Sequence, residues 1–308
     1  MMVIVSTRNV VSCNILEVNC TGSPRAIGLT HGTAARSLVH GSLAFYNILF
    51  QTKCKMHWSD AKLFARKFHP YLEQSWPQYV AEMEGVAEGA GVSYEDILAL
   101  NVRTEIAYGA FNDGCTGLSW KGKGQSLLGQ NWDWNLESVF SLPRLLLSAD
   151  QDESSLQMIA EAGILGKIGL NSHGVGCTLN AITANGVSYN KMPCHLALRT
   201  ILESTSRSAA TIQTLEEEGV ASSCHLLVGD VTGGTGLECN RENIVRLEMD
   251  PEGLIMHTNH YILPHNEKVA ESKNLLPDTW YRLRRIGELV DAVKKEGPSI
   301  KFVEVVPR

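Results

Sequence analysis

The chain has 308 residues, 44% of them apolar, and a formal net charge of −6, long enough for one large domain or two smaller ones around a substantial core. Lysine and arginine are spread along it instead of gathered in runs, which argues against a nucleic-acid or anionic-membrane surface. No stretch approaches the roughly 18 uninterrupted apolar residues of a membrane helix.

The N-terminal run MMVIVSTRNVVSCNILEVN lacks a long apolar core and a small-residue cleavage site, so it reads as strand and not as a signal peptide. An apolar strand around Ile15 to Val18 leads through a turn at Gly22 to Pro24 into a helical stretch that runs past His31 and Ala34 toward Phe45 and Leu49. A second helical region starts at Ser59, and within it Tyr79, Met83, Val86 and Ala90 recur at the spacing of one apolar face. Gly91 closes that helix as a C-terminal glycine. Ser93 and Asp96 then cap the helix DILALNVRTEIAYG.

After Cys115 the texture changes to short β-like runs punctuated by glycine: TGLSW, SLLGQNWDW, RLLLSA, LQMIAEAG and KIGLNSHGVGCTLNAI. Their alternation predicts consecutive antiparallel strands. Residues 194–219 return to helix, and two strand pairs follow with turns at Gly233 and Gly234 and at Pro251 to Gly253. A last helix is expected from Asp278, with Leu283, Ile286, Leu289 or Val290, and Val293 as its buried stripe. This order favours two sheets covered by helices over a doubly wound parallel fold. No repeat or linker divides the chain, so a single domain over 1–308 is expected.

The eight cysteines (Cys13, Cys20, Cys54, Cys115, Cys177, Cys194, Cys224 and Cys239) show no CxxC pair and no regular spacing. Reduced thiols in a soluble, cytoplasmic protein are the expectation. Cys115 stands apart because Asn112, Asp113 and Gly114 before it form a loop signal. A buried apolar thiol is the commonest fate of a free cysteine, but a cysteine after such a loop is placed to react. Gly114 has no Cβ, so its carbonyl can adopt strained geometry and be approached by the neighbouring thiol. That is the requirement for an N-to-S acyl shift, which would leave Cys115 as a new N-terminus. Such a residue carries its own nucleophile and its own base, an α-amine of unperturbed pKa about 8.

A hairpin turning at the glycines of KGKGQ would return Asp133 to the side of Cys115, as a charged hydrogen-bond partner for an α-ammonium or an amine substrate. The segment HTNH has HxxH spacing, but no carboxylate or cysteine completes a recognisable metal ligand set around His257 and His260. Asn259 as an amide donor to an oxyanion is the stronger reading. GKGQS lacks the phosphate-loop spacing and reads as a turn. GVGCTLNAITANG, with Cys177 and Asn180, fits turns and close sheet packing better than a nucleotide site.

Five collinear motifs carry a resemblance: DGCT at 113 to 116, GQNWD at 129 to 133, EAGILGKIGLNSHGV at 161 to 175, LALRTILESTS at 196 to 206 and HTNH at 257 to 260. They resemble the fungal acyl-coenzyme A:6-aminopenicillanic acid acyltransferases, or isopenicillin N acyltransferases, which are cysteine N-terminal nucleophile (Ntn) hydrolases. GLTHG at 28 to 32, WPQY and LNVRTEIAYG match as well, over about residues 14 to 295. The resemblance implies an α+β fold, a four-layer αββα sandwich. It also implies an inactive precursor that cuts itself into 1–114 and 115–308, which stay together without a covalent link.

Transferred motif by motif, Gly114 and Cys115 are the self-cleavage pair, Cys115 the nucleophile, Asp133 an active-site acid and Asn259 an oxyanion donor. Asn180 and Thr116 are the expected substrate contacts. No metal or redox cofactor is required, and coenzyme A would enter only as a carrier of the acyl group. The family continues beyond residue 308 with further strands and an active-site arginine, so a sandwich lacking C-terminal strands is expected. The terminal VPR does not resemble a peroxisomal address. The expected activity is removal or exchange of the acyl group of a small amide, penicillin-type or peptide, through a Cys115 thioester, with acyl-CoA as a donor. Two alternatives stay open on the sequence: a plain amide hydrolase, and an uncleaved silent homologue that binds a small molecule or regulates a partner.

Overall fold

The computed structural model of the chain describes residues 2–6, 16–107, 114–133, 144–151, 154–205, 209–269 and 277–298. Strands β1 (Met2–Ser6) and β2 (Leu16–Thr21) come first. Helices α1 (Pro24–Ala34), α2 (Arg36–Leu49), α3 (Trp58–Arg66), α4 (His69–Ser75), α5 (Pro77–Ala90), α6 (Tyr94–Asn101) and α7 (Arg103–Ala107) follow, with a π-helical turn at Phe50–Cys54 after α2. Then come strands β3 (Gly114–Gly122), β4 (Gln125–Asp133), β5 (Arg144–Gln151), β6 (Ser154–Glu161), β7 (Ile168–Asn171) and β8 (Gly176–Ala181). Helices α8 (Cys194–Leu202) and α9 (Ala209–Glu218) lead to β9 (Cys224–Asp230), β10 (Gly233–Cys239), β11 (Ile244–Leu247) and β12 (Leu254–His257), and α10 (Thr279–Val293) closes the order.

Among the described residues the strands form two sheets, one of four in the order β1-β4-β3-β12 and one of eight in the order β11-β10-β9-β8-β7-β6-β5-β2. The expected αββα layering follows from where the apolar side chains go. On the small sheet, Leu118, Trp120, Leu127 and Leu254 face outward and bury against Ile286 and Val290 of α10. Leu128 and Ile255 point the other way and meet Leu227 of the large sheet. The far face of the large sheet joins the remaining helices in one continuous core that includes Ile27, Met83, Val86, Met158, Leu198 and Val228. Period-two alternation along β3 and β4 thus fixes which residues meet α10 and which meet the second sheet.

The signals at Gly91 and Ser93 are where the sequence puts them, but the turn expected at Gly233 and Gly234 falls on Val231 and Thr232. Strands β11 and β12, expected to pair across Pro251 to Gly253, lie in different sheets. Gly91 ends α5 at φ 72°, and Ser93 and Asp96 form a reciprocal capping box at the start of α6. Helix lengths differ from the periodicity. The run from Pro24 to Leu49 is broken at Ala35. The run from Asp96 is broken at Val102, where the buried Asn101 amide ties the helix end to the Gly163 carbonyl and the Leu165 nitrogen. The 194–219 run is two helices, and residues 206–208 between them lie outside the described residues. So do Cys13, Asn112, Asp113 and the closing residues from 299 on.

None of the seven described cysteines is in a disulfide. Among the described residues no helix is long and apolar enough to cross a membrane. Helices α1 and α5 touch backbone to backbone: a Cβ on Gly28 would lie 2.0 Å from the Glu82 carbonyl oxygen, and one on Gly85 would lie 2.2 Å from that of Arg25. Backbone cannot yield as a flexible side chain can, so Gly28→Ala is expected to destabilise the fold by about 1–3 kcal/mol or more, read as a lower denaturant midpoint at unchanged m-value.

Candidate active site

Cys115 is the second residue of β3, where Gly114 lies opposite Asp133 and Cys115 opposite Trp132. The β3–β4 hairpin therefore does return the Asp133 backbone to the side of the cysteine. Asp133 is placed by its backbone only. The Cys115 side chain faces the large sheet, packed with Trp132 and with Ile168 of β7, and is 3% exposed.

Asn259 reaches the cysteine through strand register. β12 pairs antiparallel with β3 so that His257 is opposite Gly117, and continuing that register by two residues brings Asn259 level with Cys115. Its carboxamide oxygen accepts the Cys115 backbone N–H at 2.8 Å, and its Nδ2 donates to the Ala181 carbonyl at 2.9 Å. This orientation is set by the partners, because two donors face Oδ1 and an acceptor faces Nδ2. The side chain thus presents its oxygen, not its nitrogen, to the cysteine nitrogen. With Nδ2 already donating to Ala181, only its second hydrogen is left for an oxyanion.

An arginine that sequence reading missed completes the arrangement. Arg282 of α10 donates from Nη1 to the Cys115 carbonyl at 2.6 Å and to Thr116 Oγ1 at 3.2 Å, and from Nη2 to Asn259 Oδ1 at 2.8 Å. Asp278, one turn earlier, accepts its Nε at 2.8 Å and fixes the plane of the guanidinium. A signal was present: Arg282 precedes Ile286 and Val290 by four and eight residues, so it shares their inward face. Thr279, the first residue of the same helix, accepts the Asn259 N–H at 2.8 Å. Helix α10 therefore holds Asn259 by its backbone and by its side chain.

A small cleft beside Cys115 is lined by Trp132, Ile168, Leu179, Arg103 and Lys167, among others. Arg103 and Lys167 are buried and share the Glu161 carboxylate at 2.9 and 3.0 Å, and Tyr46 donates to its other oxygen. Burial pushes the Glu161 carboxyl up, but the two cations outweigh it and hold it well below its usual range. Lys167 Nζ also lies 4.4 Å from the centre of the Trp132 ring. Asn180 of β8 sits by Gly117, two residues farther along β3, its Oδ1 3.0 Å from where a Cβ on that glycine would be. It is fully buried under β3, its oxygen 3.2 Å from His225 Nδ1 and its nitrogen 3.5 Å from the His257 carbonyl. The fold thus brings Gly114, Cys115, Thr116, Asn259 and the Asp133 backbone together, while the Asn180 amide is engaged within the protein.

The model of the acyl-coenzyme A:6-aminopenicillanic acid acyl-transferase family matches residues 120–305. A relative from Emericella nidulans, the acyl-coenzyme A:6-aminopenicillanic-acid-acyltransferase 40 kDa form, is 37% identical over 278 residues, 90% of this chain and 77% of its own length. The chain belongs to this acyltransferase family. A second relative, the beta-alanyl-dopamine/carcinine hydrolase of Drosophila melanogaster, is 28% identical over 171 residues, 49% of this chain and 44% of its own. Among solved structures, a conjugated bile acid hydrolase variant from Clostridium perfringens aligns at 14% identity over 64% of this chain and 70% of that one, with a TM-score of 0.35. Penicillin V acylase from Agrobacterium tumefaciens aligns at 11% identity over 44% and 40%, with a TM-score of 0.27. Both superpositions are too loose to carry weight.

In this acyltransferase-family chain two histidines near the site, His225 and His260, are packed where burial disfavours their charged form. His260 is lowered to about 4 by burial and by the neighbouring His257, and His225 is lowered by the same two causes. Farther off, His31 is lowered to about 4 by burial and by Arg199, and His195 is lowered by burial, Arg103 and Lys167. Unfolded, each would take up a proton near its ordinary value of 6.5. A depressed histidine pKa means that the unfolded chain binds more protons below 6.5, so this contribution is full above that pH and is lost as pH falls toward 4. Urea unfolding is expected to show stability dropping between pH 7 and 5 by roughly 1.4 kcal/mol per pH unit for each proton taken up.

Proposed function

We propose that the chain is a self-processing cysteine amidohydrolase and acyltransferase whose nucleophile is Cys115, acting on small acyl amides of the penicillin or peptide type. The observation that carries the reading is the grip on the Cys115 nitrogen and carbonyl by Asn259 and Arg282. Any buried backbone N–H and carbonyl need partners. Here both partners are side chains, which can keep their hold if the nitrogen becomes a catalytic amine.

In self-cleavage, Cys115 Sγ attacks the Gly114 carbonyl carbon. The Gly114–Cys115 C–N bond breaks, the nitrogen takes a proton, and a Gly114 thioester forms on sulfur. Water then hydrolyses that ester, leaving a carboxylate on Gly114 and a free thiol and amine on Cys115. In turnover the amine, held by Asn259 Oδ1, takes the thiol proton, and the thiolate attacks the substrate amide. The departing amine receives the proton from the α-ammonium, and the acyl group remains as a Cys115 thioester. Water or a second amine resolves it. With an acyl-CoA donor, thiolate attack on that thioester loads the same cysteine and releases coenzyme A. Asp133 is assigned to the α-ammonium or the amine substrate, Thr116 to the substrate through Arg282, and Asn180 to support of β3.

Association of fragments 1–114 and 115–308 is favoured by the sheets: β1 pairs with β4 and β2 with β5, each across the proposed cut. Hydrolysis without acyl transfer is the second reading, favoured by the similarity to the carcinine hydrolase.

Intact mass tests the reading. The purified chain is expected as two fragments meeting at Gly114 and Cys115, and Cys115→Ala as one uncut chain; an uncut parent that takes up no thiol-reactive acyl probe would sink it. Arg282→Lys keeps the charge but not the two-branched grip, so cleavage is expected to slow by about tenfold or more in a mass time course. Release of 6-aminopenicillanic acid from penicillin V, with and without acyl-CoA, separates hydrolysis from transfer.

A further inference from the structure

Beyond Asn259 lies a buried carboxylate that the reaction above does not use. Glu238 of β10 is fully buried. Its Oε1 accepts from His257 Nε2 at 2.8 Å and the Ile262 nitrogen at 2.6 Å, and its Oε2 from the Leu263 nitrogen at 3.0 Å and His265 Nε2 at 2.9 Å. Four donors fill the lone pairs of an ionised carboxylate. Asn240 Nδ2 stands 2.8 Å from His265 Nδ1 and donates to it, which leaves Nε2 of that ring as the donor to Glu238. Burial pushes the Glu238 carboxyl up, but the bonds from His257 and His265 outweigh it and hold it below its usual range.

The four donors bracket Asn259: His257 precedes it by two residues, and Ile262, Leu263 and His265 follow it by three, four and six. Strand register brings Asn259 level with Cys115, but Asn259 itself lies past the end of β12, so no ladder pair of its own holds it there. One carboxylate on β10, a strand paired on both sides, holds both flanks.

We propose that Glu238 is a positioning residue, clamping residues 257 to 265 so that Asn259 Oδ1 meets the Cys115 nitrogen. The catalytic consequence rests on the reading of Cys115 given above, whereas the placement of Asn259 can be measured without turnover. Glu238→Gln keeps the side-chain size but turns an NH2 toward two of the four donors. With penicillin V as substrate, this variant is expected to lose about tenfold or more in kcat with KM within about twofold of the parent. In an Asn259→Ala background the same change is expected to add less than about twofold, because both act through one interaction.

A carboxylate that only stabilised the fold would lower Tm and leave kcat of the folded fraction and the coupling to Asn259 unchanged, and that result overturns the proposal. If Glu238→Gln does not fold, His265→Ala removes one bond and keeps the other three. It must show a smaller loss with the same dependence on Asn259, and full kcat in that variant overturns the proposal too. Amide hydrogen exchange at residue 115 in the uncut Cys115→Ala chain decides the geometry directly. Adding Glu238→Gln should speed that exchange by about tenfold, as should adding Asn259→Ala, and unchanged exchange refutes the clamp. A parent that neither cuts itself nor hydrolyses penicillin V defeats the proposed function, while the exchange measurement still judges Glu238.

Discussion

One carboxamide oxygen joins the parts of this molecule that matter most. Asn259 Oδ1 receives the Cys115 nitrogen and the Arg282 guanidinium at the same distance, 2.8 Å, so a strand, a loop and a helix converge on a single acceptor. An amide oxygen in a buried setting satisfies two donors that would otherwise be left without partners. It adds no charge of its own next to Cys115. Displacing it would strand a backbone N–H and part of a guanidinium together, which is why the small sheet, the segment after β12 and α10 are ordered around it.

The wider architecture supports that convergence with buried charge. Near the cleft, Glu161 balances Arg103 and Lys167. Deeper among the helices, Glu82 meets Arg199 with both oxygens, at 2.8 and 2.9 Å. Such pairs add little net stability over an apolar replacement but are costly to break on one side. They therefore fix how α5, α7 and α8 sit on the large sheet. The apolar core supplies the bulk of the driving force, and these pairs select one arrangement of it.

Much of this is legible in the sequence, for identifiable reasons. The β3–β4 hairpin follows from two alternating runs joined at glycines, and the register it imposes is enough to put Asp133 beside Cys115. The cap at Ser93 and the stop at Gly91 are equally plain, because both act over a few residues. Helix breaks are not, since Val102 is an ordinary helix residue and the chain turns there for a distant partner, the Gly163 carbonyl. Asn259 stands out as a residue, but which end of its amide faces the cysteine depends on donors from β3 and α10. Arg282 is hidden in a helix whose apolar stripe is the stronger signal, and the Asn180 amide is held by His225, a partner 45 residues away. What one segment determines can be read from one segment. What several assemble cannot.

The strands β1 and β2 come from the chain before Cys115, yet one sits in each sheet as a parallel partner of a strand from after it. Each sheet is thus built from both sides of the Gly114–Cys115 bond. While the bond is whole, assembly is a unimolecular event with a rate independent of protein concentration. Were it cut as proposed, refolding from denaturant would require two separate molecules to meet, and its rate would become second order. Maturation of this fold would then be a one-way step in time: the same act that frees the amine makes later recovery of the lost structure a matter of dilution.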